Sequence, residues 1–217
     1  MLYWFLRSLV QVVLIQTIRI RHADRELAEV PGGFVLACSH VSHLDPVLIS
    51  AILRRKVDWV ARIEFFRNPV MALLMRFVDA IPINRQGVPI SAIKSSIRRI
   101  REGKIIGIFP EGEVMQDGVS VLRGGPLKYG FALVAQRTNC PVIPCISLGT
   151  EKLSTVDPWL PMLRGRVWIQ FGKPVYLTPD LPRREQRKRL ASDLTDALQS
   201  LYRDALTRFD LPESILP

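Results

Sequence analysis

Short apolar runs alternate along the chain with longer segments in which apolar residues recur every three or four positions. The runs at 34–38, 57–61, 80–83, 105–109, 142–146 and 167–171 have strand length, and several are apolar at every position, which predicts strands buried on both faces. Between them, Ile90, Ile93, Ile97 and Ile100 make one helical stripe, and Val70, Leu73, Leu74, Phe77 and Val78 make another. A long final element over 183–209 carries Leu190, Leu194, Leu198, Leu201 and Ala205 on one face. Such alternation predicts the α/β class, with a central mixed, mostly parallel sheet covered by helices. No repeat or low-complexity linker divides the 217 residues, so one domain with a sizeable core is expected, ending in a frayed tail after residue 210.

The first twenty residues, MLYWFLRSLVQVVLIQTIRI, are strongly apolar but include Arg7 and Arg19, which leaves an uncharged run of eleven residues, 8–18. That run is too short to span a bilayer cleanly. There is no basic region ahead of it and no small-residue cleavage site after it, so a secretory signal fits poorly. The expectation is an interfacial, membrane-anchoring helix over 1–22 followed by the main domain over 23–217. Leu2, Tyr3, Trp4, Phe5 and Leu6 would lie in the acyl boundary while Arg7 and Arg19 reach anionic head groups. The blander alternative is an ordinary core helix.

Charge narrows the partners. Thirty Lys and Arg against twenty Asp and Glu leave a net charge of +10, which favours nucleic acid, an anionic bilayer or a phosphorylated substrate without choosing among them. Arg183, Arg184, Arg187, Lys188 and Arg189 open the long final helix, where cations oppose the helix dipole. Lipid phosphates or an acidic carrier protein would compensate them; a solvated basic face is the plainer account. Cys38, Cys140 and Cys145 are an odd number in apolar surroundings without Cys-x-x-Cys spacing, which indicates neither a disulfide framework nor a zinc site and suits a reducing, cytosol-facing location.

The segment Ser39-His40-Val41-Ser42-His43-Leu44-Asp45-Pro46 follows the first of the expected strands, at the kind of strand end where α/β proteins bind ligands. His40 and Asp45 can meet across a turn, the carboxylate holding the imidazole in one tautomer so that it serves as a general base. Asp45-Pro46 also reads as a helix N-cap and first-turn pair. His43 is an alternative base, and His40, His43 and Asp45 together suggest a metal, but only three histidines exist and no fourth ligand is evident, so no metal is expected. Phe109-Pro110-Glu111-Gly112 stands at a second strand end, where glycine allows close approach of an anion and Glu111 can orient hydroxyls. Arg85, after Ile81-Pro82-Ile83-Asn84, stands at a third and suits phosphate. Taken singly, a loop and a surface arginine are the commoner explanations.

Their order and spacing make the chain resemble the bacterial-type lysophosphatidic acid and glycerophosphate acyltransferases. His40 to Asp45 matches that family's His-x-x-x-x-Asp motif and selects His40 over His43. Arg62-x-Glu64 with Pro69, then Pro82-Ile83-Asn84-Arg85, look like the second motif; Phe109-Pro110-Glu111-Gly112 matches the third; Val142-Ile143-Pro144, after Lys128-x-Gly130, matches the fourth. The resemblance spans 33–148. It implies His40 as base, Asp45 as its partner, Arg85 as a phosphate contact, Glu111 and Gly112 in the acceptor site, and Pro144 shaping the pocket. No cofactor is implied beyond a thioester co-substrate, acyl-CoA or acylated carrier protein. The implied product is phosphatidic acid, made from 1-acylglycerol 3-phosphate for phospholipid biosynthesis by a peripheral or monotopic enzyme on the cytoplasmic side of an anionic membrane.

The match has departures. Glu113 and Val114 stand where the family commonly has Thr and then Arg or Ser, and the loop to Lys128 is longer than usual. Arg123 or Lys128 would then supply the missing cation, or the acceptor would be another lysolipid or glycerol 3-phosphate. The apolar helix with Val70, Met71, Leu73, Leu74, Met75 and Phe77 is expected either to line an acyl channel or to pack in the core. A Ser39- or Cys38-dependent hydrolase is the nearest rival enzyme, but neighbours on a strand point to opposite faces and no Gly-x-Ser-x-Gly elbow exists. A non-enzymatic membrane-binding module would leave the strand-end motifs unexplained, and no nucleic-acid-binding or nucleotide-binding signature is present.

Overall fold

The computed structural model describes Trp4 and residues 18–86, 89–112, 120–150, 165–212 and 215. Seven strands are described: β1 (Ile18–Ala23), β2 (Phe34–Cys38), β3 (Val57–Arg62), β4 (Ile81–Ile83), β5 (Ile105–Ile108), β6 (Val142–Leu148) and β7 (Gly165–Phe171). They form one sheet in the order β1-β7-β6-β2-β5-β3-β4. β2 to β6 all run parallel, β7 is antiparallel to β6, and β1 is parallel to β7. The carboxyl ends of the five parallel strands therefore share one edge of the sheet. β1 runs the opposite way and so starts, at Ile18, on that same edge.

β2 is central, and each of its five residues is buried, as an all-apolar strand covered on both sides must be. Its even positions, Phe34, Leu36 and Cys38, pack with Ile105, Ile143 and Cys145 under Leu48 and Ile49 of helix α1 (Asp45–Ile52). Its odd positions, Val35 and Ala37, pack with Ile106, Val142 and Ile146 against three helices, α3 (Ile90–Arg101), α4 (Gly130–Thr138) and α5 (Arg183–Phe209). Leu190, Leu194, Leu198, Leu201 and Ala205 of α5 are all buried, and each leucine so covered contributes roughly 1.5–3 kcal/mol. The α/β class and the mixed, mostly parallel sheet are as expected.

Three expectations need correction. β1 occupies 18–23, so the interval expected as a helix to residue 22 ends in a strand; its sequence IRIRHA alternates apolar and polar residues at an edge of the sheet. Residues 1–3 and 5–17 lie outside the described residues. The α3 stripe holds for three of its four expected residues, with Ile100 buried and Ile93 and Ile97 packed against the core beside Ala92 and Ser96, while Ile90, in the first turn, is 56% exposed. Helix α2 (Pro69–Phe77) starts well, with the Asn68 side chain accepting from the Val70 and Met71 N–H groups and Pro69 in the first turn, yet it buries none of its residues. It is not part of the core.

Candidate active site

The site lies where the carboxyl ends of β2, β5 and β3 adjoin. His40 leaves β2, and its Nδ1 is 3.2 Å from Asp45 Oδ2. The same oxygen accepts from the Val41 and Ser42 N–H groups at 2.8 and 2.7 Å. Asp45 is fully buried and is the first residue of α1, but it caps no N–H of the helix; it faces back into the turn that carries the histidine. Pro46 stands in the first turn as expected, while Asp45 serves the helix as a first-turn acid and not as its cap. A carboxylate can only accept, so Nδ1 carries the proton and Nε2 presents its lone pair.

An aromatic stack fixes the ring plane. The Phe109 ring lies against the imidazole at 3.9 Å between centroids and 21° between planes, and Trp59 backs Phe109 at 4.9 Å and 11°. Trp59 Nε1 in turn donates to Ser50 Oγ of α1 at 2.9 Å. Gly107, which pairs with Trp59 across β5 and β3, makes the stack possible, because a Cβ there would meet the indole at 2.4 Å. Neither Trp59 nor Ser50 is apparent from the sequence, since both join the site through a strand order that is not the chain order.

Glu111 holds the site together from the third motif. Its Oε2 accepts the His40 backbone N–H at 3.2 Å, while Oε1 accepts from Ser120 Oγ and the Val121 N–H, each at 3.1 Å. Burial pushes its carboxyl above the ordinary carboxylate range, opposed by those three hydrogen bonds. Both oxygens are engaged by the protein, so Glu111 braces the His40 backbone. The Gly112 N–H donates to the Phe109 carbonyl at 3.0 Å; its φ of 91° is left-handed, and its missing Cβ leaves the space crossed by the Lys128 side chain. The Lys128 N–H donates to the Pro110 carbonyl at 2.8 Å, which ties its segment to this loop.

Arg85 follows the carboxyl end of β4 and Arg123 ends the turn that begins at Ser120, so both belong to the catalytic edge; both are exposed. Pro144 pairs with Ala37 between β6 and β2. It lies on the sheet face covered by α5, where a Cβ on Gly172 would touch both its ring and Leu201 of α5. Glu113 and Val114 lie outside the described residues. The basic cluster that opens α5 sits at the opposite edge of the sheet, where Gln136, near the end of α4, donates to the Arg183 carbonyl.

The rival nucleophiles are disengaged. Ser39 is buried and its Oγ accepts the Ser147 N–H at 3.3 Å, and burial pushes the Cys38 thiol well above its ordinary range. His43 is exposed, 6.3 Å from His40 ring to ring; burial of part of its ring and the neighbouring His40 lower its pKa. Among the described residues no group of three or more His, Cys, Asp or Glu side chains could hold a metal ion.

A family model described as Acyltransferase matches residues 19–148, well over half of the chain. The chain belongs to the acyltransferase family. The matched span contains His40, Asp45 and Glu111. Across 96% of its length the chain is 26% identical to 99% of a 1-acyl-sn-glycerol-3-phosphate acyltransferase of Bacillus subtilis (strain 168). It is 30% identical to an N-acylphosphatidylethanolamine synthase of Arabidopsis thaliana, over 67% of this chain and 57% of that one. The crystal structure of the 1-acyl-sn-glycerophosphate (LPA) acyltransferase PlsC from Thermotoga maritima shares the fold, with a TM-score of 0.66, 18% identity, and 92% of this chain and 81% of that chain covered.

Proposed function

We propose that this acyltransferase moves an acyl group from a thioester, acyl-CoA or acylated carrier protein, to the free hydroxyl of 1-acylglycerol 3-phosphate, yielding phosphatidic acid for phospholipid synthesis. The observation that carries the reading is the His40–Asp45 pair at 3.2 Å in a chain aligned almost end to end with a relative named for that activity. His40 Nε2 takes the acceptor hydroxyl's proton as its oxygen attacks the thioester carbonyl. The C–S bond then breaks, and the thiolate leaves with the proton returned by the imidazolium. Asp45 stabilises that cation, and no covalent enzyme intermediate is needed because the thioester is already activated.

Arg85, Arg123 and Lys128 are the cations proposed to meet the acceptor phosphate, Lys128 lying over Gly112 next to Glu111. The enzyme works as a peripheral or monotopic protein on an anionic membrane, on its cytoplasmic side. Among the described residues no helix is long and apolar enough to cross a membrane. A second reading keeps the chemistry and changes the acceptor to a head-group-bearing lysolipid. Glu113 and Val114, in place of the Thr and Arg or Ser expected after Glu-Gly, favour it.

The test is acyl transfer by purified protein from acyl-CoA and from acylated carrier protein across a panel of lysolipids and glycerol 3-phosphate. Preference for 1-acylglycerol 3-phosphate by tenfold or more in kcat/KM, about 1.4 kcal/mol in transition-state binding, supports the first reading. Preference for a head-group-bearing acceptor supports the second, and no transfer with any pair overturns both.

A further inference from the structure

Among the described residues, the largest departure from ordinary burial lies on the one-turn helix 63–66 and on α2. Ile63, Phe65, Val70, Leu73, Leu74 and Phe77 are 37–74% exposed, with Val70 the most open. Single exposed apolar residues are unremarkable on a protein surface, but six within fifteen positions of one continuous segment mark an interaction surface. The segment is not a helix left half-finished. Asn68 caps α2, and Arg76, in its last turn, complements the helix dipole.

We infer that this ridge is a docking surface for an anionic lipid bilayer, turning the catalytic edge of the sheet toward the membrane; the inference rests on the lipid-acyltransferase reading above. Three observations favour a bilayer over a protein partner. The first is charge: Arg62, Arg67 and Arg76 are exposed along the segment, and its one acid between Arg62 and Phe77, Glu64, is 3.4 Å from Arg62. Apolar side chains bordered by cations match acyl chains beneath anionic head groups.

The second is position. The one-turn helix follows the carboxyl end of β3, the strand whose Trp59 backs the Phe109–His40 stack, so an interface at the ridge meets the edge that holds the site. The third is where the chain enters the fold. β1 starts at Ile18 on this same edge, directly after the strongly apolar sequence of residues 1–17. Ile18 and the ridge thus share the end of the sheet where the parallel strands finish, at its two opposite flanks. The basic cluster at the start of α5 lies on the opposite edge, which makes it a control surface.

The experiment is flotation of full-length protein with vesicles of phosphatidylcholine and phosphatidylglycerol, without donor or acceptor, so that failure of docking and absence of acyl transfer are separate results. Leu73→Gln combined with Leu74→Gln should weaken vesicle partitioning by about tenfold or more, since each removes a buried aliphatic side chain from the interface. Arg183→Gln combined with Arg184→Gln should leave it within about twofold at matched salt, being remote from the ridge. In a separate Leu74→Trp variant, tryptophan emission should move to the blue on vesicle addition and be quenched by brominated acyl chains.

Unchanged partitioning of the glutamine pair overturns the proposal. So does an added emission from the Leu74→Trp variant that is already blue-shifted in buffer: if independent of protein concentration, the chain's own N-terminal segment covers the ridge, and if concentration-dependent, a second copy does. Circular dichroism of the glutamine pair matching wild type keeps a loss of binding from being a loss of fold.

Discussion

Asp45 Oδ2 accepts from three donors at once, His40 Nδ1 at 3.2 Å and the Val41 and Ser42 N–H groups at 2.8 and 2.7 Å, so the carboxylate that orients the imidazole also shapes the turn carrying it. Its Oδ1 accepts none among the described residues. His40→Ala should therefore lower kcat by about 10²–10⁴-fold in folded protein, the usual contribution of a general base. Asp45→Asn can keep its amide oxygen in the place of Oδ2 but loses the charge that stabilises the imidazolium, and kcat should fall at least about a hundredfold. Single-turnover transfer rates, measured beside circular dichroism, check both. A robust rate in His40→Ala would end the base assignment.

His43 provides the counter-test. It is exposed, lies outside the Asp45 hydrogen bonds, and has a pKa lowered by partial burial and by His40. His43→Gln should retain kcat/KM within about threefold, a change worth under 1 kcal/mol. A loss comparable to that of His40→Ala would move the base to His43.

The His40–Asp45 pair was legible in the sequence because both partners sit in one local turn, and β2 was legible because burial on both faces leaves an unbroken apolar run. What escaped depends on which strands become neighbours. Trp59 reaches Phe109 because β3 lies beside β5, although α2, β4 and α3 intervene along the chain. Ser120 reaches Glu111 from nine residues on, with nothing in its local pattern to mark it as a partner. β1 was hidden by the apolar sequence ahead of it, which extended a helical reading into IRIRHA. Pro144 carried a motif match but no information about which sheet face it occupies.

Glu111 makes stability depend on pH with a definite sign. Burial raises its pKa above the ordinary 4.5, so between that value and the native one the folded protein holds a proton that the unfolded chain has released. This contribution to stability is therefore fully present at and below the ordinary value and declines as pH rises through the native one. Glu111→Gln should remove this slope, leaving those of other shifted groups such as Asp58, whose pKa burial also raises. Urea midpoints of the two proteins across a pH series starting at the ordinary value check it, and parallel curves would refute it. Glutamine also offers one acceptor to the three donors now bound, so the variant should lose about 1–3 kcal/mol where Glu111 is ionised.

The aromatic stack separates positioning from binding. Phe109 touches the imidazole, Trp59 touches Phe109, and Ser50 accepts from the indole N–H, so a change at Trp59 reaches the base only through Phe109. Trp59→Leu keeps an apolar side chain but removes the flat support, and should lower kcat by about tenfold while KM stays within about threefold, since looser alignment of the base affects the transition state more than ground-state binding. Gly107→Ala attacks the same support from beneath: its methyl group would lie 2.4 Å from the indole and force the ring to move. Overpacking of this kind costs about 1–3 kcal/mol, and kcat should fall as in Trp59→Leu. Steady-state kinetics with one soluble short-chain acceptor, beside thermal unfolding of each variant, separate lost alignment from lost stability. Unchanged kcat in both folded variants would show that Asp45 and Glu111 alone orient His40.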